Sequence, residues 1–506
     1  MAKKQAANLA AKLERHFGFK RFRPGQAEAV GATLAGRDVV VVMPTGSGKS
    51  LCYQLPSMES EGPTIVVSPL IALMKDQADG LRWHNYKVAE MNSSIPATRL
   101  REYEAAISAG NIDFIFCTPE RLSDPGFREL VKRRPVGLFV VDEAHCVSQW
   151  GHDFRPDFLT LGDAIADLGR PPVLALTATA TPAVIEDICT RLGIPDADVV
   201  HTGFYRSNLR LSVEGVSGEG EKREKLLQLL NAEKGVSIVY CATVRTVEEL
   251  TDFLADQPLV AAGYHGRMPP KRRERVQTRF MTGELTCFVA TNAFGLGIDK
   301  ADIRQVIHYQ LPGTLESYYQ EAGRAGRDGL PSKCVMLYDP DDTKIQRFFQ
   351  GGRYPDDTDL VNAYRAVERL AGRAEPPTMK ELQAISPLKP GKMKVCLTLL
   401  AAQGVVERSA GDRYVLLKPG MTREGVAATG RTYRDREEQD RQALRRVAAY
   451  AEGRGCRWQA LLEYFEDDAL LHGPCHLCDN DPAEPDEPAR LAALRKSVEA
   501  MAGLRP

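Results

Sequence analysis

The sequence predicts an α/β protein with two tandem domains of parallel β-sheet, followed by a winged helix and a small helical module that contains cysteines. Three observations support this architecture. Short β-branched runs alternate with amphipathic segments, this pattern occurs twice, and the composition changes near residue 340. Runs that are apolar along their whole length are typical of strands buried on both faces, and helical segments between such strands favour parallel pairing.

The strand pattern divides the first two-thirds of the chain into two domains. We predict one domain over residues 1–205 and a second over 206–352, with a hinge in the stretch 201–209. The predicted strands cover residues 39–43, 64–68, 114–119, 138–143 and 173–179 in the first series, and 237–243, 260–266, 287–292, 306–312 and 333–338 in the second.

The last third of the chain predicts two smaller modules. Three helical segments followed by a hairpin are typical of a winged helix, which we expect over residues 353–418. A long helix and a cysteine cluster follow in a helical module over 419–482, and residues 483–506 form a tail.

The composition excludes several classes of protein. Of the 506 residues 43% are hydrophobic and 26% charged, which is not the composition of a disordered, collagenous or disulfide-scaffold protein. The net charge of −1 argues against binding nucleic acid by bulk charge alone. No apolar run approaches the ~20 residues of a membrane span. Several of the 11 cysteines lie in apolar runs, as core residues do in a reducing compartment. Together with the lack of a membrane span, this leads us to expect a cytoplasmic protein without membrane contact.

A glycine-rich loop, PTGSGKS, follows the first predicted strand and precedes a helix. Glycines let backbone N–H groups approach phosphate oxygens, while Lys49 reaches the outer phosphates and the Ser50 hydroxyl ligates Mg²⁺. Met43 stands where the strict pattern has glycine, and a simple glycine-rich turn is the alternative. The order of strand, loop and helix favours a nucleotide site formed by Thr45, Gly46, Ser47, Gly48, Lys49 and Ser50.

An acidic pair and an arginine pair complete the predicted catalytic set. Asp142 and Glu143 end another apolar run, and they suit the Mg²⁺ shell and the polarisation of a water molecule. Arg324 and Arg327 are three residues apart, so both side chains can point one way and reach a γ-phosphate held by the first domain. An exposed acidic turn and a solvated basic helix face are the alternatives.

These segments resemble the RecQ family of superfamily 2 helicases over about residues 9–340. The matching motifs are FRPGQ, MPTGSGKSLCYQLP, SPLIALMKDQ, TPERL, DEAHCVSQWGHDFRPDF, LTATAT, YHGRM, ATNAFGLGID and QEAGRAGRDG, in that order. The resemblance implies two RecA-like domains and an ATP-driven, Mg²⁺-dependent enzyme. Such an enzyme moves 3′→5′ on single-stranded DNA and unwinds duplex DNA in recombination and repair, at the bacterial nucleoid.

The resemblance also implies roles for individual residues. Arg23 and Gln26 would recognise adenine. An aromatic-rich loop directly after the catalytic carboxylates would bind single-stranded DNA by base stacking and couple that contact to ATP hydrolysis. The loop residues are Trp150, His152, Phe154, Arg155 and Phe158.

The cysteine cluster resembles the zinc module of the same family, which uses four cysteines. Cys456, Cys475 and Cys478 match three of them, and Asp481 occupies the fourth position. Zinc accepts carboxylate oxygen, although structural sites prefer thiolate and imidazole. His472 and His476 are alternative ligands, and a metal-free helical hairpin is the alternative structure.

The winged-helix pattern precedes the cysteine cluster, whereas the family usually has the opposite order. The hairpin around 409–413 is a candidate strand-separating pin, and the third helix presents Lys389, Lys392 and Lys394 to duplex phosphates. We expect a monomer that acts on single-stranded and forked DNA. A superfamily 2 RNA helicase and an annealing translocase that unwinds weakly are the alternative functions.

Overall fold

A computed structural model describes residues 2–148, 155–292, 300–353, 355–409, 413–467 and 475–481. The chain forms two compact units. One combines Met1–Asp339 with the chain from Tyr450 onward, and the other is Pro340–Ala449. No helix in the described parts is long and apolar enough to cross a membrane.

The first sheet of the larger unit has seven parallel strands in the order β3-β4-β2-β5-β6-β1-β7. Strands β1–β7 are Val39–Val42, Thr64–Val67, Val88–Met91, Phe114–Cys117, Leu138–Asp142, Val173–Thr177 and Asp198–His201. Helices α1–α9 are Ala2–Phe17, Gln26–Leu34, Leu51–Ser57, Ile71–Trp83, Ala97–Ser108, Pro119–Leu122, Pro125–Val131, Leu161–Asp167 and Pro182–Leu192. Two 3₁₀ helices, Ala144–Val147 and Pro156–Thr160, follow β5.

The second sheet has six parallel strands in the order β10-β11-β9-β12-β13-β8. Strands β8–β13 are Leu209–Gly215, Val236–Tyr240, Ala261–Tyr264, Cys287–Ala290, Ile303–His308 and Ser332–Tyr338. Helices α10–α13 are Gly218–Ala232, Val244–Ala255, Pro270–Met281 and Leu315–Ala322. The two parallel sheets confirm the predicted fold class, because the predicted apolar runs form strands that are buried over most of their length.

Three strands have no counterpart in the prediction. Strands β3, β7 and β8 lie at sheet edges or carry charged residues, so they lack the continuous apolar run of a central strand.

Within the smaller unit, the helices over Asp357–Leu370, Met379–Ile385 and Pro390–Ala402 and a two-stranded antiparallel hairpin form the predicted winged-helix arrangement, and three further helices precede or follow it in the chain. Helices α14–α19 are Asp342–Arg353, Asp357–Leu370, Met379–Ile385, Pro390–Ala402, Arg423–Ala428 and Arg431–Glu452, and strands β14 and β15 are Val406–Ser409 and Arg413–Leu416. Reciprocal capping boxes start α15 at Asp356 and α16 at Thr378. Helices α15–α18 and the hairpin share one core, which includes Leu382 and Leu397. The tip of the hairpin lies outside the described residues.

The long helix α19 continues past the smaller unit, and helix α20, Arg457–Tyr464, belongs to the larger one. The division between the two compact units falls within α19, and the predicted domain boundaries, including the helical module over 419–482, stay predictions.

Candidate active site and metal centre

The phosphate loop lies between β1 and α3 and is shaped by two glycines in the left-handed region, Gly46 at φ 80° and Gly48 at φ 84°. The Lys49 ammonium donates to the carbonyl oxygens of Met43 at 2.9 Å and Pro44 at 3.3 Å. Burial lowers the pKa of Lys49, and the nearby carboxylates of the acidic pair oppose this shift.

Met43 replaces the expected glycine without disturbing this loop. Its side chain is fully buried, and a Cβ on Gly25 would lie 2.6 Å from its terminal methyl carbon. Met43 contacts Lys49 through its carbonyl, while its side chain packs in the core, so the phosphate loop accommodates the departure from the strict pattern.

Arg23 and Gln26 both bind the backbone of the phosphate loop. The Gln26 amide nitrogen donates to the carbonyls of Ser47 at 3.1 Å and Gly48 at 3.0 Å. The Arg23 guanidinium donates to the carbonyl of Gly46 at 2.6 Å. Adenine recognition by this pair stays a prediction, but the contacts show that both residues order the loop.

The acidic pair lies at the carboxyl end of β5, separated from β1 only by β6. The Ser68 hydroxyl donates to Asp142 Oδ2 at 3.2 Å. Burial, and then the charge of Glu143, raises the pKa of Asp142 to about 7. Glu143 adopts φ 50° and ψ 48°, which is strained for a residue with a Cβ and is typical of functional positions. His145 Nδ1 lies 3.4 Å from Glu143 Oε2.

The arginine loop, which we define as residues 323–327 after α13, brings the second sheet to the phosphate loop. A Cβ on Gly46 would lie 2.8 Å from Arg327 Cγ, and a Cβ on Gly323 would lie 2.5 Å from the Thr45 hydroxyl oxygen. Arg324 is only 4% exposed. Arg327 therefore lies beside the nucleotide loop, and Arg324 is buried next to Gly323, which approaches Thr45.

Several polar atoms in this cleft are buried without a hydrogen-bond partner among the described residues. They are Thr45 Oγ1, Ser47 Oγ and Arg324 Nε. Unpaired buried polar atoms are costly, so their presence on both the phosphate loop and the arginine loop indicates a site that a polar ligand completes.

The predicted DNA-binding loop is only partly described. Trp150, His152 and Phe154 lie outside the described residues. The Arg155 guanidinium donates to the Pro69 carbonyl at 3.2 Å. Phe158 is 1% exposed within the first domain, so the prediction that its ring stacks on bases is wrong for this arrangement.

The lysines predicted to contact duplex DNA differ in their surroundings. Lys392 Nζ lies 2.6 Å from Asp359 Oδ2, so its charge is neutralised within the smaller unit and does not suit the predicted phosphate contact. Lys389 and Lys394 are exposed, and their contacts with DNA stay predictions.

The four predicted metal ligands converge. Sγ of Cys456, Cys475 and Cys478 and a carboxylate oxygen of Asp481 all lie within 4.8 Å of one another. His472 lies outside the described residues, and His476 is not part of the cluster that the described residues form.

Backbone amides support this cluster. Gln459 N–H donates to Cys456 Sγ at 3.5 Å, Leu477 N–H to Cys475 Sγ at 3.3 Å, and Arg457 N–H to Cys478 Sγ at 3.4 Å. Such bonds favour thiolates. A hydrogen bond from the neighbouring Cys475 lowers the pKa of Cys478 to about 6. Three sulfurs and one carboxylate that approach this closely fit a tetrahedral zinc ion.

Two residues that order the catalytic groups were not predicted. Ser68 binds Asp142, and Arg206 binds the backbone of the arginine loop. Ser68 opens the motif SPLIALMKDQ, which was a usable signal, whereas Arg206 lies in a stretch that the sequence marks only as a hinge.

The first parallel-sheet domain carries the phosphate loop and the acidic pair, and the second carries the arginine loop. This combination defines the class of two-domain helicase ATPases. Family models agree: residues 23–188 match the DEAD/DEAH box helicase model, 221–329 the helicase conserved C-terminal domain, and 421–481 the RecQ zinc-binding model.

Relatives identify the family. The chain is 44% identical over 338 residues to the ATP-dependent DNA helicase RecQ of Bacillus subtilis, covering 66% of this chain and 57% of that relative. It is 36% identical over 460 residues to the probable ATP-dependent DNA helicase RecS of the same organism, covering 91% of this chain and 88% of that relative. The chain belongs to the RecQ family of helicases, with ATP-binding helicase domains and a zinc-binding domain.

A solved structure supports the fold. The chain is similar to Mycobacterium smegmatis helicase Lhr bound to ssDNA and AMP-PNP, with a TM-score of 0.55 and 22% identity over 86% of this chain and 62% of that one.

We predict that Asp142→Asn raises thermal stability more at pH 8 than at pH 5.5, without nucleotide or added Mg²⁺. The native carboxyl group titrates at about 7, well above its unfolded value of roughly 3.9, so its contribution to stability falls as pH rises between the two. Asparagine does not ionise, so the variant does not lose stability through this titration as the pH rises. Thermal unfolding at the two pH values measures the difference. The exposed Asp163→Asn on α8 is the control, and equal gains at both pH values would contradict the assignment.

We predict about one zinc ion per purified chain, and weaker binding after Asp481→Ala. Loss of one of four ligands should lower zinc affinity by at least about tenfold, whereas Asp481→Cys should tighten binding because zinc prefers thiolate. Metal analysis and competition with a chelator measure both effects. His476→Ala is the control, and a larger loss in that variant would reassign the fourth ligand.

Proposed function

We propose that the protein is an ATP-dependent DNA helicase that moves 3′→5′ on single-stranded DNA and unwinds duplex DNA in recombination and repair. The observation that carries this proposal is the contact of Arg327, from the second domain, with Gly46 in the phosphate loop of the first. A nucleotide site built from both domains lets hydrolysis change how the domains meet, which is the requirement for movement along a strand.

The phosphate loop would bind ATP by exchanging internal contacts for phosphate oxygens. Lys49 donates to the carbonyls of Met43 and Pro44, and phosphate oxygens would take their place when ATP binds. Mg²⁺, held by Ser50 and Asp142, would neutralise charge on the phosphates. The Gln77 amide donates to the Ser50 hydroxyl at 3.3 Å and so orients this ligand.

Glu143 would orient and polarise the attacking water, and Arg324 and Arg327 would stabilise charge that develops on the γ-phosphate. A chain of polar contacts leads from this point to the second domain. His145 Nδ1 lies 3.0 Å from the Thr177 hydroxyl, and the Gln320 amide of α13 donates to the Thr179 hydroxyl at 3.2 Å. This route would transmit the state of the nucleotide between the sheets.

The aromatic-rich loop would bind single-stranded DNA through Trp150, His152 and Phe154, and Lys389 and Lys394 of the winged helix would contact duplex phosphates. We further propose that the enzyme acts as a monomer on single-stranded and forked DNA at the nucleoid in the cytoplasm.

We predict that Lys49→Ala abolishes ATP hydrolysis and unwinding but leaves DNA binding within about twofold. Removal of the only lysine of the phosphate loop should cost about 10²-fold or more in kcat, because the transition-state charge loses a fixed cation. DNA-stimulated hydrolysis and fluorescence binding assays measure the two properties. Lys87→Ala, which removes an exposed lysine on the same domain, is the control. A variant that still unwinds DNA would refute the mechanism.

We predict that a duplex with a 3′ single-stranded tail is unwound at least about tenfold faster than one with a 5′ tail, because movement toward the 5′ end of the tail leads the enzyme into the duplex. A strand-displacement assay with both tails and a fork measures this preference. RNA duplexes of the same sequence are the control. Preference for the 5′ tail, or equal activity on RNA, would contradict the proposal.

A further inference from the structure

One arginine side chain holds the backbone of the arginine loop. Arg206 Nη1 donates to the carbonyl of Gly323 at 2.7 Å, and Nη2 donates to the carbonyls of Ala325 at 3.0 Å and Gly326 at 2.6 Å. These carbonyls flank Arg324 and directly precede Arg327. The guanidinium therefore sets the backbone from which both arginines extend.

The shape of the guanidinium group matters for this contact. A planar fork can donate several bonds in fixed directions, whereas a lysine ammonium is a compact point charge. Asn208 adds a second support, because its amide donates to the carbonyls of Gly326 at 2.8 Å and Leu330 at 2.9 Å. The loop thus depends on a short linker, Phe204–Asn208, that connects the two sheets.

The C-terminal segment Arg457–Asp467 in turn holds this linker. The Phe204 N–H donates to Asp467 Oδ2 at 2.5 Å, and the Phe204 ring stacks on Phe465 with 4.3 Å between centroids. At the far end of the linker, Trp458 Nε1 donates to the Leu209 carbonyl at 3.2 Å. This segment begins directly after the zinc ligand Cys456.

The same segment also contacts helix α13, which leads into the arginine loop. The Tyr464 hydroxyl donates to Glu316 Oε1 at 2.5 Å, and the rings of Phe465 and Tyr319 are 5.3 Å apart. The Tyr319 hydroxyl donates to the Phe204 carbonyl at 2.7 Å. Linker, helix and C-terminal segment therefore form one packed assembly beneath the loop.

We propose that Arg206 is a positioning residue for ATP hydrolysis, and that the segment Arg457–Asp467 of the zinc-binding region positions the catalytic arginines through it. This inference rests on the proposed ATPase function. Arg206 touches neither the phosphate loop nor the acidic pair in any contact that the described residues make, so its effect on the reaction passes through the loop backbone.

The proposal predicts a selective loss of kcat. Arg206→Lys and Arg206→Ala should lower kcat about 10- to 100-fold, the range that a misplacement of about 1 Å can cause. KM for ATP and the affinity for a fluorescent non-hydrolysable ATP analogue should stay within about twofold, because the phosphate loop is untouched. Zinc content should be unchanged. Steady-state hydrolysis with saturating single-stranded DNA, analogue titration and metal analysis give these values.

Arg170→Ala is the matched control. Arg170 also donates to a backbone carbonyl, that of Gly193 at 2.9 Å, and binds Asp38, but it lies away from the cleft. This variant reports the general cost of losing such an arginine. Arg206 variants that match Arg170→Ala in kcat, or that lose analogue binding as much as kcat, would overturn the positioning role.

Asp467→Ala tests the connection to the C-terminal segment without altering Arg206. It should lower kcat by about 3- to 10-fold with analogue binding and zinc content unchanged. Combined with Arg206→Lys it should have less than the product of the two effects, since both act through one linker. Wild-type kcat in Asp467→Ala, or multiplicative effects, would overturn this connection. Absence of hydrolysis in the wild-type protein would instead refute the proposed function itself.

Discussion

The structure depends on a small group of opposed charges held where two sheets meet. Lys49 is half-buried near Asp142 and Glu143, and Arg327 of the second domain reaches the same loop. In a poorly hydrated cleft such charges interact strongly, and each is costly without the others. Parallel strands bring these charges together because the loops after β1 and β5 emerge at the same edge of the sheet, with only β6 between the two strands.

The backbone of the arginine loop in the second domain is held by contacts from Arg206. Strand β8 lies at the sheet edge, and the cysteine-rich segment pairs with it: Leu211 N–H donates to the Leu477 carbonyl at 2.9 Å, and Asp479 N–H donates to the Leu211 carbonyl at 3.2 Å. The unpaired N–H and C=O groups of an edge strand can pair with other chains, and this pairing covers part of that edge. The cysteine cluster is therefore joined to the domain that carries the arginine loop.

The net charge of −1 says little about the ligands of this protein. Its cations are distributed among separate tasks: Lys49 lines the nucleotide loop, Arg206 binds carbonyl groups, Lys392 is paired with Asp359, and Lys389 stays exposed. An enzyme that must release its substrate in each cycle gains more from cations held in fixed geometry than from a uniformly basic surface.

Local sequence patterns were enough to predict the two parallel sheets, the nucleotide loop and the cysteine cluster, because each depends largely on residues that are close along the chain. Apolar runs define buried strands, and the spacing of PTGSGKS or of Cys475, Cys478 and Asp481 defines a local geometry. The burial of Phe158, the ion pair of Lys392 with Asp359 and the support of the arginine loop by Arg206 are visible only in the folded structure. These outcomes depend on partners more than 30 residues away or on the packing of neighbouring helices, and no local pattern encodes such contacts.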